Sequence, residues 1–460
     1  MIDELPQGWT TAPLREVVAA RKGKKPKVLH EIAAPDRVPY LLIDQMEGKP
    51  ARYFTDDPKV TVASKDDVLV VWDGSIGKCA AGLEGAVGST IVALKPVGVE
   101  SGFLEAFIKH ARRTLLETSR GTGLQHINQE VFWELEFPLA PFAEQQRILV
   151  KLEKLLDKVD DCQQRLAKIP LLLKRFRQSV LDAACSGRVT VDWRQNQQAP
   201  HAVGEGYRAL RSKLIFNLDD GFGTASLPET WEYVPIGNLS GFQQGMQIAK
   251  ATRLKESGSN RLPILRIGNY ANAFSEDVDY VEVNEESLIA EPDDIILTRT
   301  GETRGKVLTG FRGVFHNNTF RMNYEKRLIL REYLIAWLNT AGVQEFIRQR
   351  SGRSAQPDLT HKAFGPCPFP LAPLAEQKEI VRRVEELFAL ADQIEARYAK
   401  GKAHVDKLTQ SILAKAFRGE LVPQDPNDEP ASVLLERIRA RREQKSRLNC
   451  DGKIASRRKS

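Results

Sequence analysis

The sequence predicts an α+β protein: two mixed α/β domains separated by two long helices that form an antiparallel coiled coil with pseudo-twofold symmetry. Three observations predict it. Residues 137–190 and 369–422 align without a gap at a constant offset of 232, with 20 of 54 positions identical. Each copy carries an apolar stripe at heptad spacing. Each also follows a stretch of mixed character that opens on Leu-Pro-x-x-Trp, at Leu5 to Trp9 and again at Leu227 to Trp231. A chain of 460 residues is too long for one compact core, so two or more domains are expected.

Residues 1–136 read as the first mixed domain. A basic loop over residues 21–27 follows the opening motif. Residues 68–72 form a strand, Asp73-Gly74 a turn, and residues 89–94 another strand. Residues 103–118 have helical periodicity, and the loop Ser119-Arg120-Gly121-Thr122-Gly123 leads past Gln125 into the first repeat. Residues 191–226 are polar and turn-rich and serve as a connector, with a short helical stretch at residues 207–213. A second mixed domain, residues 227–368, keeps the order of landmarks: strand 295–298, a Gly301 turn, helix 331–350 and a loop over residues 351–356. Residues 423–460 form a basic tail, with an amphipathic helix over residues 433–441 and a mobile end.

In the repeats, the seam of the first helix is Ile148, Leu152, Leu155, Val159 and Leu166. That of the second is Ile380, Val384, Leu387, Ile394 and Tyr398. Pro141 and Pro373 suit a helix start, and Glu144 and Glu376 lie where the positive end of the helix dipole favours a carboxylate. Ile169-Pro170 and Gly401-Lys402 interrupt the two stripes at the same place, so a break or kink is expected there. Gly187 and Gly419 fall where a helix would end. Either stripe alone fits ordinary helical-hairpin packing; two in one chain can bury each other about a pseudo-twofold axis.

Apolar residues at 42% and charged ones at 28% are ordinary for a soluble globular chain. No stretch approaches the ~20 apolar residues of a membrane span, and the first ten residues lack a signal-peptide pattern, so a cytoplasmic location without membrane contact is expected. Five dispersed cysteines, with no CxxC pair, indicate neither a zinc site nor a disulfide framework. The net charge of +7 is matched by residues 436–460 alone, which hold 10 basic and 3 acidic residues. Any nucleic-acid surface must therefore come from charges sorted onto one face.

A search for chemistry finds no catalytic constellation. Gly74-Ser75-Ile76-Gly77-Lys78 and Gly301-Glu302-Thr303-Arg304-Gly305-Lys306 lack the GxxxxGK[ST] spacing that aims backbone amides at phosphates. Asp36 with Glu47 and Lys49 superficially matches the acidic residues and lysine of metal-dependent nucleases, but the second domain has no counterpart. The histidines are scattered without ligand spacing, so no metal site and no catalytic residue is expected.

The unit Pro-Leu-Ala-Glu-Gln followed by a heptad helix and closing on Ala416-Phe417-Arg418-Gly419-Glu420-Leu421, repeated after a divergent domain, resembles the specificity subunit of type I restriction-modification enzymes. The resemblance covers nearly the whole chain and is specific in the helices. It implies two target recognition domains (1–136 and 227–368) and two helical spacer regions (137–190 and 369–422). It implies a non-catalytic, cytoplasmic subunit that reads a bipartite motif in double-stranded DNA, the helices setting the distance between the halves. Two methyltransferase subunits and motor-nuclease subunits would be its partners. S-adenosylmethionine, ATP and Mg would then belong to those partners, with no cofactor bound here.

Base edges are read by Arg, Lys, Asn and Gln, while Ser, Thr and backbone groups mostly position phosphates. On that basis the DNA-contacting candidates in the first domain are Lys22, Lys24, Lys25, Arg120, Thr122 and Gln125, with Ser75 and Lys78 behind them. In the second they are Gln243, Gln244, Arg299, Thr300, Arg304, Arg353, Ser354 and Gln356. The competing reading is a coiled-coil protein-interaction scaffold without DNA binding.

Overall fold

The computed structural model describes residues 5–121, 125–196, 215–219, 226–268, 277–351 and 358–457, without the side chains of 445–457. It divides into two compact units, Met1–Ala167 with Lys400–Ser460, and Lys168–Ala399. The chain first runs through β1 (Thr10–Pro13), β2 (Val18–Lys22), β3 (Val38–Leu41), β4 (Phe54–Thr55), β5 (Val62–Ala63), β6 (Val68–Val71), β7 (Cys79–Ala81), β8 (Gly85–Val87) and β9 (Ile91–Pro96). Helices α1 (Ser101–Glu117) and α2 (Gln129–Trp133), strand β10 (Glu136–Leu139) and the long helix α3 (Phe142–Cys185) follow.

In this first head, β2-β9-β6-β7 form an antiparallel sheet and β4-β3-β8-β5 a second one with a parallel β3–β8 pair. Strand β6 reads Val-Leu-Val-Val without alternation because both its faces are covered. Val68 and Val70 join the core beneath α1 with Phe103 and Phe107, while Leu69 and Val71 pack with Leu41, Val87 and Ile91. Strand β1 pairs antiparallel with β10, Thr10 opposite Leu139, so the head begins and ends side by side at the root of α3.

The second head contains β11 (Glu232–Pro235), β12 (Ser240–Gln244), β13 (Arg261–Leu265), β14 (Tyr280–Glu282), β15 (Ile289–Ala290), β16 (Ile296–Thr298), β17 (Val307–Leu308), β18 (Gly313–Phe315) and β19 (Thr319–Tyr324). After α4 (Arg331–Leu338), α5 (Ala341–Arg350) and β20 (Pro368–Leu371) come the long helix α6 (Leu374–Phe417) and then α7 (Ala431–Arg457). Its sheets, β12-β19-β16-β17 and β14-β13-β18-β15, repeat the strand order of the first head, and β11 pairs with β20 as β1 does with β10. The single helix expected over residues 331–350 is instead two. Thr340 stops the first by donating its hydroxyl to Trp337 O (2.7 Å) and caps the second by accepting from Val343 N.

Both long helices contain 44 residues, about 66 Å at 1.5 Å per residue. Of the break or kink expected at Pro170 and Gly401, no break forms, since α3 and α6 run through both positions. Residues 167–172 are exposed apart from half-buried Ile169, so the ring lies outside the packing and water can serve the carbonyl that Pro170 leaves without its N–H. The division between the two compact units falls within two or three residues of both interruptions, at Ala167/Lys168 and Ala399/Lys400.

Each unit holds the start of one long helix against the end of the other. In the first, Ile148 and Leu152 share a core with Leu413, Ala416 and Phe417. In the second, Ile380 and Val384 share one with Val180, Leu181, Ala184 and Cys185. Arg177 reaches Asp392 and Glu395 (2.8 Å each) while Arg383 reaches Asp192 (2.6 Å), so the segments there run antiparallel. Of the seam positions, Ile148, Leu152, Val159, Ile380 and Val384 are buried, and Leu155, Leu166, Leu387 and Tyr398 half-buried. Ile394 departs from the expectation at 39% exposure, one turn beyond Ala391, the last buried position of α6 before residue 400. The core that covers the start of α6 ends before it reaches Ile394.

The basic tail also departs from the short helix expected: α7 continues to Arg457. Ala431, Leu435 and Ile438 pack on the first head, whose Gly98 would bring a Cβ within 2.8 Å of Ile438. Arg439 pairs with Glu16 (2.9 Å), and the Arg442 guanidinium donates to the carbonyls of Arg15 and Val18.

Candidate nucleic-acid interface

Both helix roots are built from the same residues. The buried Glu144 accepts the Trp9 indole N–H at 3.0 Å, and Glu376 accepts that of Trp231 at 2.8 Å. The next residue ties the helix to its head. Gln145 donates to Ala140 O (2.9 Å) and accepts from Glu100 N (3.1 Å), just before α1; Gln377 donates to Ala372 O and accepts from Leu330 N (2.8 Å each), just before α4. These glutamines satisfy backbone groups that a helix start leaves unpaired. Burial pushes the Glu144 carboxyl up, opposed by its hydrogen bonds from Trp9 and Gln424.

The opposite end of each head is where its polar loops gather. In the first, the pairings Lys22–Val92 and Val71–Ile91 bring the exit of β2, the end of β6 and the start of β9 to one end of the sheet. Gly23 is required there, since a Cβ would sit 2.0 Å from Gly88 O. From this end emerge Lys24 and Lys25, the turn from Asp73 to Lys78, and the loop that follows α1. Gly74 N donates to Gln125 O (2.9 Å) and Ile127 N to Trp72 O (3.0 Å), joining turn and loop. Arg120 and His126 exchange backbone hydrogen bonds at 3.0 and 2.9 Å, closing the loop at its base. Beneath it Trp72 is buried against Phe132 and Trp133, with ring centroids 4.9 and 5.6 Å away.

The second head reproduces the backbone and changes the side chains. A Cβ on Gly245 would sit 2.3 Å from His316 O. Arg299 N donates to Asn318 O as Trp72 N does to Thr90 O, and Leu359 N donates to Arg299 O as Ile127 N does to Trp72 O (2.8, 2.8, 2.8 and 3.0 Å). Bridges Asp73–His126 and Thr300–Asp358 also correspond. By these bonds Trp72 matches Arg299, Asp73 matches Thr300, and His126 matches Asp358.

A family model described as "Type I restriction modification DNA specificity domain" matches residues 6–171 and 228–400. The chain is 30% identical over 503 residues to the type I restriction enzyme EcoKI specificity subunit of Escherichia coli K12, covering 99% of each chain. It is 30% identical over 484 residues to the StySPI specificity subunit of Salmonella potsdam, covering 95% of this chain and 96% of that one. The chain belongs to the type I restriction-modification specificity family. Among solved structures, one described as underlying "complex assembly and conformational transition of the type I R-M system" matches with a TM-score of 0.66 at 18% identity, covering 91% of this chain and 99% of that one. The HsdS subunit from Thermoanaerobacter tengcongensis matches with a TM-score of 0.56 at 18% identity, covering 91% and 98%.

In this specificity-family chain, the candidates chosen from sequence divide into four groups. Lys22, Lys24, Lys25 and Gln125 are exposed at the sheet end described. Others there are engaged: Lys78 with Glu47 (2.5 Å), Arg120 with Glu130 (3.2 Å), Gln244 with Asn317 O (3.2 Å) and Arg304 with Gly301 O (3.0 Å). Arg299 is held by both carboxylate oxygens of Asp358, and Gln243 accepts from Arg321. Ser75 and Thr300 are half-buried in the hairpin turns, and Thr122, Arg353, Ser354 and Gln356 lie outside the described residues. Sequence reasoning passed over Asp73, His126 and the turn His316-Asn317-Asn318 at the same ends; hydrophilic residues flanking a strand were the available signal. Of the nuclease-like trio, Glu47 pairs with Lys78 and Lys49 with Asp44 at 2.7 Å. Among the described residues, no group of three or more His, Cys, Asp or Glu could hold a metal, and no helix is long and apolar enough to cross a membrane.

Proposed function

We propose that this chain is the non-catalytic DNA sequence-recognition subunit of a type I restriction-modification complex. The observation that carries the reading is the presence of two heads of one topology, rooted in the same way on similar helices, with different side chains at the same sheet end. Each head, residues 1–136 or 227–368, reads one half of a bipartite duplex target. Residues 137–190 and 369–422 form the spacer, with 191–226 a connector and 423–460 the basic tail. Lys22, Lys24, Lys25, Ser75, Lys78, Arg120, Thr122, Gln125, Gln244, Thr300, Arg304, Arg353, Ser354 and Gln356 contact the DNA, the serines and threonines at phosphates. Gln243 and Arg299, whose polar groups are already engaged, shape that surface. Two methyltransferase subunits carrying S-adenosylmethionine seat on this cytoplasmic chain, and motor-nuclease subunits using ATP and Mg join them.

The test is to express the chain with its methyltransferase and map methylated adenines. A two-part motif with one modified adenine on each strand is expected. Duplex binding by the complex should weaken steeply with salt as phosphate contacts release counterions. Failure to bind duplex DNA at any salt concentration would leave the scaffold reading in its place.

A further inference from the structure

We propose that His126 of the first head, held by Asp73, and Asp358 of the second, held by Arg299, are specificity-determining residues at matched backbone positions, each accepting a hydrogen bond from the exocyclic amine of an adenine or cytosine. The proposal rests on the DNA-recognition reading and names the site within it.

His126 and Asp358 occupy one backbone position, fixed by the matched bridge and hydrogen bonds described above, while the residues that hold them come from neighbouring positions, Asp73 matching Thr300 and Arg299 matching Trp72. In the first head His126 Nδ1 donates to Asp73 Oδ1 at 2.7 Å. Of the two imidazole tautomers, the one that can donate in that bond carries its acceptor at Nε2. The imidazole side chain is 50% exposed, whereas its aspartate is 18% exposed. Nε2 has no hydrogen-bond partner among the described residues.

In the second head the arrangement is inverted. Arg299, 17% exposed, is the buried anchor; Asp358, 38% exposed, is the presented group. Arg299 Nε meets Asp358 Oδ1 at 2.8 Å and its Nη2 meets Oδ2, which fixes the carboxylate plane as a bidentate pair. An ionised carboxylate has about four acceptor sites and no donor, so two remain for an amine. Both heads therefore offer an acceptor from a preorganised pair, one imidazole nitrogen and one carboxylate. In the major groove the matching donors are adenine N6 and cytosine N4, while guanine and thymine offer acceptors at the corresponding edge.

The experiment maps methylated adenines in cells expressing the methyltransferase with the wild-type chain, His126→Ala, His126→Gln, Asp358→Ala or Asp358→Asn. The wild-type motif should contain an adenine or cytosine at one position of each half that the variants relax. The His126 variants should lose about tenfold discrimination at one base of one half and leave the other half unchanged; the Asp358 variants should do the converse. Which base is specified in the wild type distinguishes adenine from cytosine. A wild-type chain that yields no bipartite motif overturns the recognition reading and this proposal with it. A wild-type motif that all four variants retain, or that they methylate uniformly less without relaxing any base, overturns this proposal alone. Relaxation of the same half by both sets of variants would also overturn it.

Discussion

The two heads share a topology and little sequence, and where they agree marks what the fold requires. Both keep a glycine at the crossing from β2 or β12, where a side chain would strike a carbonyl oxygen. Both keep a partly or fully buried acid that closes a turn: Asp67 accepts from Ser64 N at 2.7 Å, and Asp294 from Glu291 N at 2.9 Å. The arginine that meets this acid has changed strands. Arg21, on the strand rung opposite Ala93, pairs with Asp67 at 2.5 Å; on the equivalent rung Gln243 faces Arg321, which pairs with Asp294 at 3.1 Å. Divergence has kept the interaction and exchanged its residues. At the loop-bearing sheet end the heads differ most: where the first has Trp72, Asp73 and His126, the second has Arg299, Thr300 and Asp358.

The largest effect should come from the part they share. Ile380→Asp places an unpaired charge in the core at the α6 root and should cost about 4 kcal/mol or more. Ile394→Asp, on the same stripe but exposed, should change stability by under about 0.5 kcal/mol. Denaturant unfolding of the two variants measures the difference, and equal losses would restore the uninterrupted seam read from the heptads. Next, Gly23→Ala and Gly245→Ala should each cost about 1–3 kcal/mol, because the obstacle in both heads is backbone that cannot rotate away. A melting temperature lowered in one variant and unchanged in the other would break the equivalence of the heads.

These contrasts explain what the sequence disclosed. Helices α3 and α6, the glycine C-termini and the doubled Leu-Pro-x-x-Trp opening were legible because their signals are local and repeated. Glu144 and Glu376 were placed at helix starts for the dipole, and their indole partners lie 135 and 145 residues away, beyond any local pattern. The same limit governs the candidate site. Nothing near Arg299 or Gln243 in sequence reports that Asp358 and Arg321, 59 and 78 residues on, already occupy their polar groups. The break that Pro170 suggests is absent for the opposite reason: the local rule holds for an unsupported helix, while packing on either side carries α3 through it.

A smaller effect tests the strand exchange. Arg21→Gln leaves Asp67 short of a partner and should cost about 1 kcal/mol, discounted because the arginine is 44% exposed. Adding Ala93→Arg recreates the rung of the second head, and the double variant should recover most of that loss. Thermal melts of the two singles and the double form the required cycle. Independent, additive losses would mean that the matching acid in the two heads is coincidence.

The smallest effect separates the two roots by pH. Burial raises the Glu144 carboxyl, so its contribution is fully present below the ordinary carboxylate range and is lost as pH rises through the raised value. Replacing it by glutamine removes that loss, and stability of Glu144→Gln relative to wild type should improve from about pH 4 to about pH 7. Glu379, one turn into α6, is held at about 2 by Arg382, opposed by burial and helped by Arg383. Its contribution is present above the ordinary carboxylate range and lost as pH falls toward about 2. Glu379→Gln should therefore lose stability relative to wild type at neutral pH and converge on it in acid. Melting curves across pH for the two variants should thus slope in opposite senses. Parallel slopes would mean that the hydrogen bonds from Arg382 and Arg383 do not set Glu379 apart from Glu144, which has Arg147 acting on it without such a bond.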